Sequence, residues 1–553
     1  MLKSVLTIGL VMMLASGVSA QLNMTFLGNY PYTPDLSDVW GYVDSLGNEY
    51  AIVGVQNGIS VVDVTTPASP NEVFFISGPN TIWRDIKVWN KHAYVTNEAS
   101  GGMKIIDLSN LPAPTSPAVA TYTGSSYAFT KAHDLYIDEN GVAYILGSNY
   151  STGGAIMLDL TADPMNPTEL GVFNNYYLHD AMVRGDTLWG GAINNGFFVA
   201  VDVSNKAAPI VLATQNTPNN FTHNCWISDD GNTLFTTDEK SGAFIASYDV
   251  SDLSNITELD RIQSNPGSGT IPHNTFFMNN FVITSYYRDG VTVHDVTRPG
   301  NMIQTGDYDT YPTGSGNGFN GAWGVYPWLP SGNVLVSDIE SGLFILGPTY
   351  TRGCYLEGTV TDFSTSNSIN NATIEILTGV ETTTSDLLGE YAMAILTAGT
   401  YDVAFSAPGY TSDTLSAVLS NGVLTLLDAQ LIAPVPFVLT GQVVESNGGA
   451  PIANADVLIT NNDFQYPLTS DGGGNFFIPS FFQGTFDVIA GKWMYNTACS
   501  SMFIDTATGP IAIALDSGLY DDFSFDFGWG VSGNAASGTW ERVEPVGTNY
   551  SGV

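Results

Sequence analysis

Four of the six histidines in this 553-residue chain recur at a nearly constant spacing. They are His133, His179, His223 and His273, which lie 44 to 50 residues apart, and each is followed by Asp or Asn. Neutral imidazole is a good ligand for zinc, copper, iron or nickel. If the spacing reflects a repeated fold, four imidazoles could converge on one transition metal ion and leave coordination positions open for a substrate or dioxygen.

The familiar catalytic motifs are absent from the sequence. It contains no Gly-x-Ser-x-Gly, no His-Glu-x-x-His, no phosphate-binding Gly-x-x-x-x-Gly-Lys-(Ser/Thr) and no EF-hand spacing. The three cysteines, Cys225, Cys354 and Cys499, are too far apart for a zinc motif or a disulfide framework. The sequence therefore assigns no catalytic residue and favours a protein that is not an enzyme.

An internal repeat accounts for the spacing of the histidines. Each unit opens with a Trp or His landmark, and successive landmarks lie 43 to 50 residues apart. The landmarks are Trp40, Trp83, His133, His179, His223, His273 and Trp323. Four short strands separated by turns fit into each interval, so the sequence predicts an all-β fold that begins with a seven-bladed β-propeller over residues 21–350.

Six of the repeats share an apolar strand that ends in Asp-(Val/Leu)-(Thr/Ser). The aspartates are Asp63, Asp107, Asp159, Asp202, Asp249 and Asp295. A short carboxylate at the end of a strand typically accepts hydrogen bonds from the backbone of the following turn, so we predict a structural role for all six.

The seventh repeat lacks a fourth strand of its own. The segment Met24-Thr25-Phe26-Leu27-Gly28 resembles the fourth strands of the other repeats. We expect it to complete blade seven and close the propeller, which would remove two exposed sheet edges.

The innermost strand of each blade lines the channel of a propeller, so the four histidines are predicted at one channel mouth. Loops between the second and third strands share that face. They supply further polar candidates: Glu98, Asp238, Glu239, Arg288, Asp289, Asp338 and Glu340. Because strand side chains alternate between faces, the residues after the histidines are expected to point away from them. Those residues are Asp134, Asp180, Asn224 and Asn274.

Three interpretations of the histidines remain open at this point. They could be structural side chains that bond to the next blade, since Trp40, Trp83 and Trp323 are expected at the same position in the other blades. They could form a metal or catalytic site. They could also line a polar ligand pocket that holds no metal.

Residues 353–517 contain a second repeat. Gly358-Thr359-Val360 pairs with Gly441-Gln442-Val443, and three further pairs of segments follow at offsets of 83 to 85 residues. Alternating strands with glycine turns predict two small β-sandwiches, at 353–433 and 434–517. A further β-rich module is expected to begin near residue 518 and to be incomplete at residue 553.

The N-terminus and the charge indicate where the protein acts. Residues 1–20 have a basic Lys3, an apolar stretch from Val5 to Leu14 and a small-residue site that ends at Ala20, which predicts a secretory signal peptide. The net charge is −38, from 15 Lys+Arg against 53 Asp+Glu, which disfavours nucleic acid and anionic lipid as partners. No later stretch of 18 apolar residues predicts a transmembrane span.

Two resemblances extend these predictions. The run Gly58–Thr65, with Ile82–Val88, resembles the LVIVD-repeat propellers and, more closely, the choice-of-anchor B family of secreted bacterial proteins, over about residues 24–350. Residues 353–517 resemble the carboxypeptidase regulatory-like domain, a transthyretin-like module. The resemblances imply a secreted or surface location and a C-terminal anchor that this sequence does not include. They imply no catalytic residues.

The sequence therefore predicts a secreted or cell-surface scaffold or binding protein. The propeller would present a face to an extracellular protein or glycan, and the sandwiches would act as a spacer. One alternative is a metal-dependent enzyme that uses the four histidines at the channel mouth. Another is carbohydrate binding through the sandwiches.

Overall fold

The computed structural model describes residues 21–113, 116–379, 381–462, 464–519, 524–528 and 530. This part of the chain contains 43 β-strands and no helix, and therefore no helix long and apolar enough to cross a membrane. Contacts divide the chain into two compact units. The first extends to Glu357 and includes Ala392–Tyr401 and Ala417–Leu427, and the second comprises Gly358–Tyr391, Asp402–Ser416 and the residues from Asp428 onward.

Seven four-stranded antiparallel sheets, the blades, follow one another along the first unit. The chain starts with β1 (Met24–Tyr30). Blades one to three consist of β2 (Leu36–Val43), β3 (Glu49–Val55), β4 (Gly58–Asp63) and β5 (Asn71–Ser77); β6 (Ile86–Trp89), β7 (His92–Val95), β8 (Met103–Asp107) and β9 (Val119–Tyr122); and β10 (Asp134–Ile137), β11 (Val142–Leu146), β12 (Ala155–Asp159) and β13 (Thr168–Phe173).

The remaining blades repeat this order. Blades four to six consist of β14 (Asp180–Arg184), β15 (Thr187–Ala192), β16 (Phe197–Asp202) and β17 (Ile210–Asn216); β18 (Thr222–Ile227), β19 (Thr233–Asp238), β20 (Ile245–Asp249) and β21 (Thr257–Ile262); and β22 (Thr275–Met278), β23 (Phe281–Ser285), β24 (Val291–Asp295) and β25 (Ile303–Tyr308). Blade seven contains β26 (Ala322–Tyr326), β27 (Val334–Asp338) and β28 (Gly342–Pro348).

The N-terminal strand closes the propeller, as the sequence predicts. Strand β1 pairs antiparallel with β28, from Met24 opposite Pro348 to Tyr30 opposite Leu343, and it is the fourth strand of blade seven. The outermost strand of the last blade therefore comes from the N-terminal part of the chain. The closure joins segments more than 300 residues apart in sequence.

Short polar side chains fix turns in six of the seven blades. Each of the six repeated aspartates accepts a hydrogen bond from the backbone N–H two residues later, at 2.8 to 3.0 Å. In the first hairpin of blade three, Asp138 accepts bonds from the N–H groups of Asn140 and Val142, and Gly141 has a φ of +78°. These bonds satisfy backbone donors that a turn would otherwise expose.

Burial follows the position of a strand within its blade. All seven residues of β3 are buried, because neighbouring blades cover both of its faces. In β17, an outermost strand, exposed and half-buried residues alternate. The inner strands are accordingly rich in Val, Ile and Ala, whose branched or small side chains suit tight packing between sheets.

One histidine outside the channel lies in this packed layer. His294 on β24 is fully buried, and neither ring nitrogen has a hydrogen-bond partner. Burial lowers the pKa of His294 to about 3, from a usual value of 6.5. Five other repeats have Val, Ile, Leu or Tyr before the corresponding Asp, so the position accepts an uncharged residue.

We expect His294→Leu to change how stability depends on pH. In the wild type the unfolded chain takes up a proton at this histidine below pH 6.5 and the folded chain does not until about pH 3, so stability falls as pH falls through that window. The slope is at most about 1.4 kcal/mol per pH unit. Urea unfolding at pH 7.5 and pH 4.5 should show the variant losing about 2–3 kcal/mol less than the wild type.

His294→Gln is the control for this effect, because it keeps a polar side chain and removes the titration. It should show the same reduced acid sensitivity as His294→Leu. Equal pH dependence in the wild type and both variants would contradict the prediction.

Two further pairs of sheets follow the blades. The first pair consists of β29 (Cys354–Asp362), β30 (Thr373–Ile376), β31 (Thr382–Thr384), β32 (Glu390–Ile395), β33 (Gly399–Ser406), β34 (Asp413–Leu419), β35 (Leu424–Leu426) and β36 (Ala429–Leu431). The second consists of β37 (Phe437–Glu445), β38 (Asp456–Thr460), β39 (Gln465–Thr469), β40 (Asn475–Phe481), β41 (Gly484–Gly491), β42 (Ala498–Ile504) and β43 (Ile511–Leu515).

The two pairs share one topology, in agreement with the sequence repeat. One sheet has the order β31-β30-β33-β34 in the first and β39-β38-β41-β42 in the second, while β29 and β37 are central strands of the opposing sheets. In the second pair, side chains from both sheets, such as Val443 and Val488, pack into one core. Each pair is therefore a small β-sandwich. The module predicted from residue 518 lies almost wholly outside the described residues.

Candidate functional site

The four repeated histidines lie at the same backbone position in blades three to six. His133 and His179 immediately precede β10 and β14, His223 is the second residue of β18, and His273 lies two residues before β22. The backbone N–H groups of His133, His179 and His273 each donate to a carbonyl on the second strand of their own blade, at 2.9 to 3.1 Å. The shared bond shows that these histidines occupy equivalent positions.

The structure brings the four imidazoles together in the channel. Ring centroids are 3.9 Å apart for His133 and His179, 4.3 Å for His179 and His223, and 4.4 Å for His223 and His273. Trp323 of blade seven continues the row, 5.0 Å from His273. We call the four histidines the histidine arc. They line a cavity of about 20 Å³, which is room for one water molecule or ion.

The expected position of the tryptophans is correct in only one blade. Gly324 has the same place in its strand as the residues that follow the histidines. Trp323, the residue before it, is therefore at the histidine position, and it lines the cavity. In blade two the residue before Asp85 is Arg84, so Trp83 lies one position earlier than predicted.

From the sequence, Trp40 is expected at the histidine position of blade one, but in the structure Trp40 lies three residues after that position. The carboxylate of Asp38 accepts a bond from the N–H of Ile86 in blade two, just as Asp85 accepts one from Leu135 in blade three. Asp38 is therefore the counterpart of Asp85, and Ser37 takes the histidine position. After Ser37, strand β2 continues through two more residues before it reaches Trp40. Trp40 therefore packs deeper in the blade, with its ring centroid 5.0 Å from that of Tyr326.

A second layer of polar side chains lies directly after the histidine arc. We call it the carboxylate layer, and its members are Asp38, Asp85, Asp134, Asp180, Asn224 and Asn274. The prediction that these residues face away from the histidines is wrong for Asp134, Asp180 and Asn274, which line the same cavity. Strict alternation fails because the inner strands begin irregularly here, as in the register shift between Thr222 and Asn224.

The carboxylate layer ties several neighbouring blades together. Asn224 donates to Asp180 at 2.7 Å and accepts a bond from the N–H of Thr275 at 3.2 Å, which links blades four, five and six. The ammonium of Lys87 lies 2.6 Å from Asp85, 3.8 Å from Asp134 and 3.9 Å from Asp38. One buried cation thus connects three blades around the channel.

Burial sets the protonation of both layers. The pKa values of His179 and His223 lie well below the usual range because the rings are desolvated and adjoin other histidines, and that of His273 falls to about 3. Burial raises the pKa of Asp180 to about 7. The pKa of Lys87 is raised, because its carboxylate neighbours outweigh the cost of burial. The imidazoles of His179, His223 and His273 are therefore neutral at pH 7.

Two of the seven polar candidates from the loops reach the histidine arc. Glu98 bonds to Nδ1 of His133 at 2.6 Å. Glu239 lies between two histidines, with Oε2 4.0 Å from Nε2 of His223 and Oε1 3.8 Å from Nε2 of His273. Burial raises the pKa of Glu239. The hydroxyl of Tyr287 donates to Oε1 of Glu239 at 2.6 Å and holds this carboxylate in place.

The other five candidates hold loops in shape. Asp238 accepts bonds from Thr217 and from the backbone at 219 and 221, and Asp338 accepts the N–H groups of residues 340 and 341. Arg288 donates to Asn320 and to the carbonyl of residue 317, Asp289 accepts a bond from Ser264, and Glu340 accepts bonds from Asn320 and Gly321. In the described structure none of these five contacts a histidine of the arc.

Three aromatic residues near the arc were not among the predicted site residues. Tyr287 is buried, and its ring centroid lies 4.8 Å from that of His273. Phe319 packs edge-on against Tyr287 and is 57% exposed. Trp83 lines the cavity and is 42% exposed. The sequence pattern placed Trp83 at the histidine position as a landmark of the repeat and gave it no binding role. Phe319 lies in a loop without repeat character, so the sequence carried no signal for it.

The arrangement combines neutral imidazoles, two half-buried carboxylates, a small cavity and two exposed aromatic rings nearby. Such a site could bind a metal ion or a small polar group through the imidazole nitrogens. The aromatic rim, which consists of Trp83 and Phe319, could contact a larger ligand outside the channel.

Comparisons with known proteins identify two modules in the chain. Residues 44–77, 83–120 and 191–217 match the LVIVD repeat, and residues 355–431 match the carboxypeptidase regulatory-like domain. No curated protein matches the chain. Among solved structures, the β-propeller domain of Cps50 (Swd1) from Myceliophteria thermophila is 11% identical, with a TM-score of 0.42 over 59% of this chain and 100% of that domain. A propeller combined with a sandwich domain is typical of multidomain scaffold and binding proteins.

Proposed function

We propose that the protein is a secreted or cell-surface scaffold that binds an extracellular protein or glycan at the propeller face around the histidine arc. The observation that carries the proposal is the exposed aromatic rim. Trp83 lines the polar cavity and is 42% exposed, and Phe319 packs on Tyr287 next to His273 and is 57% exposed. Exposed aromatic rings next to buried polar groups are typical of ligand-binding surfaces.

The polar groups near the rim accept hydrogen bonds, so they favour a ligand that donates them. Glu98 and Glu239 are half-buried acceptors, and both contact histidines. A sugar hydroxyl or a peptide amide could donate to these carboxylates while its apolar part stacks on the rim. A net charge of −38 disfavours a nucleic acid as the ligand.

The remaining modules suit a protein held at a surface. Two sandwiches of the same topology would separate the propeller from an anchor, as the resemblance to the choice-of-anchor B family implies. Residues 1–20 would direct export as a signal peptide. An export test compares the wild-type chain with Leu6→Arg, which should keep the protein inside the cell if the segment is a signal.

Binding can be tested with arrays of glycans and peptides. The full chain should bind a defined subset, and the double variant Trp83→Ala/Phe319→Ala should lose at least tenfold in affinity for that subset. Phe75→Ala is the matched control, since Phe75 is exposed on the outermost strand β5 of blade one. Binding that survives in the rim variant, or no binding to any array member, would contradict the proposal.

A further inference from the structure

We propose that His179, His223 and Glu239 bind one divalent transition metal ion in the propeller channel. Each residue offers one ligand atom, and the three ligand atoms lie within 4.8 Å of one another. Ligands of zinc lie about 2.0–2.2 Å from the metal, so small side-chain rotations would bring these atoms to bonding distance. The inference is independent of ligand binding at the rim.

Unpartnered nitrogen atoms point to an ion at this place. His223 is 2% exposed, and neither its Nδ1 nor its Nε2 has a hydrogen-bond partner. Nδ1 of His179 is buried without a partner as well. Buried polar atoms are nearly always satisfied, and each one left unpaired costs about 1–3 kcal/mol. An ion bound between the two rings would satisfy one nitrogen of each.

A hydrogen bond from Tyr287 orients one of the three ligands, the carboxylate of Glu239. Tyr287 donates to Oε1 of Glu239, which leaves Oε2 on the side of His223. In the flanking histidines, Nδ1 of His133 bonds to Glu98 and Nδ1 of His273 to the carbonyl of residue 323, both at 2.6 Å. These two rings are therefore held by partners of their own, unlike the rings of His179 and His223.

The ligand chemistry selects the class of ion. Two imidazole nitrogens and one carboxylate suit zinc, iron, copper or nickel, whereas calcium and magnesium prefer oxygen ligands. Asp134 and Asp180 line the same cavity as the two histidine ligands.

Titration of the full chain, without a polyhistidine tag, tests the site. After chelator treatment, Zn²⁺ is added and binding is measured by calorimetry, and Co²⁺ is added to record the visible absorption of the bound metal. The wild type should bind one ion per chain with a Kd of micromolar or tighter. His223→Ala and Glu239→Gln should each weaken binding at least tenfold, and Tyr287→Phe should weaken it about tenfold.

His92→Ala is the matched control, because His92 lies on β7 beside Asp107 and does not line the cavity. It should bind as the wild type does. If His223→Ala does not fold by circular dichroism, the isosteric Glu239→Gln decides. Absence of one-to-one binding, or equal binding in Glu239→Gln, would overturn the inference and leave water as the occupant. Loss of array binding with metal binding intact would overturn only the proposed function.

Discussion

Lys87→Met should destabilise the propeller by about 3–5 kcal/mol at neutral pH. The ammonium of Lys87 is the buried cation among Asp38, Asp85 and Asp134, and it bonds to both oxygens of Asp85 at 2.6 and 2.8 Å. Methionine keeps much of the volume and removes the charge. Three carboxylates would then remain buried without a cation, and that uncompensated charge is the source of the loss.

The loss should be greater at high pH than at low pH. Burial already raises the pKa values of Asp38 and Asp134 well above the usual 3.8, and removal of Lys87 raises them further. A carboxyl group with a raised folded-state pKa binds its proton more tightly in the folded chain, so stability falls as pH rises through that pKa. The difference between variant and wild type should therefore be smaller at pH 5 than at pH 8.

Urea unfolding followed by tryptophan fluorescence measures this effect, because seven of the ten tryptophans lie before residue 350. Lys206→Met is the matched control. Lys206 lies 3.9 Å from Asp186, whose side chain is 70% exposed, and a surface pair of this kind contributes at most about 1 kcal/mol. Equal losses in the two variants, or a Lys87→Met loss that does not depend on pH, would disprove a coupled buried network.

Deletion of β1, residues Met24–Tyr30, should open the propeller and cost at least about 4 kcal/mol. The strand buries Met24 and contributes Leu27 to the packing of blades one and seven, and burial of a large apolar side chain stabilises by about 1.5–3 kcal/mol. The pairing with β28 would also be lost. The bare edge of β28 should promote association, so size-exclusion chromatography should show concentration-dependent oligomers.

A single substitution tests the same closure more gently. A Cβ atom on Gly28 would lie 1.8 Å from the carbonyl oxygen of Pro67 in blade one, so Gly28→Ala must displace backbone and should cost about 1–3 kcal/mol. Gly300→Ala is the control, since the nearest atom would be 3.9 Å away. If Gly28→Ala is as stable as Gly300→Ala, the contact between β1 and blade one does not hold the propeller closed.

The local pattern of the sequence was sufficient for the architecture. The Trp and His landmarks at a regular interval predicted seven blades, and the Asp-(Val/Leu)-(Thr/Ser) motif predicted the turn-capping role of the six aspartates, because both depend on residues close together in the chain. The apolar segment at Met24–Gly28 predicted the closing strand. The 83- to 85-residue offsets predicted two sandwiches of one topology.

The composition of the site could be predicted only in part. Four histidines in one register indicated a shared location, and two of the seven polar candidates, Glu98 and Glu239, lie beside them. The position of Trp40 and the direction of Asp134 were wrong. Both errors concern the first residues of inner strands, where a shift of register by one residue exchanges the two faces.

What the sequence by itself determined is the set of elements, their order and their number, since hydrophobic periodicity and turn chemistry are local properties. The tertiary structure alone decided which side chains meet. Lys87 reaches Asp38 and Asp134, and Tyr287 reaches Glu239, across blade boundaries and 47 to 49 residues of chain. These contacts depend on the tilt and register of neighbouring blades, which no single repeat specifies.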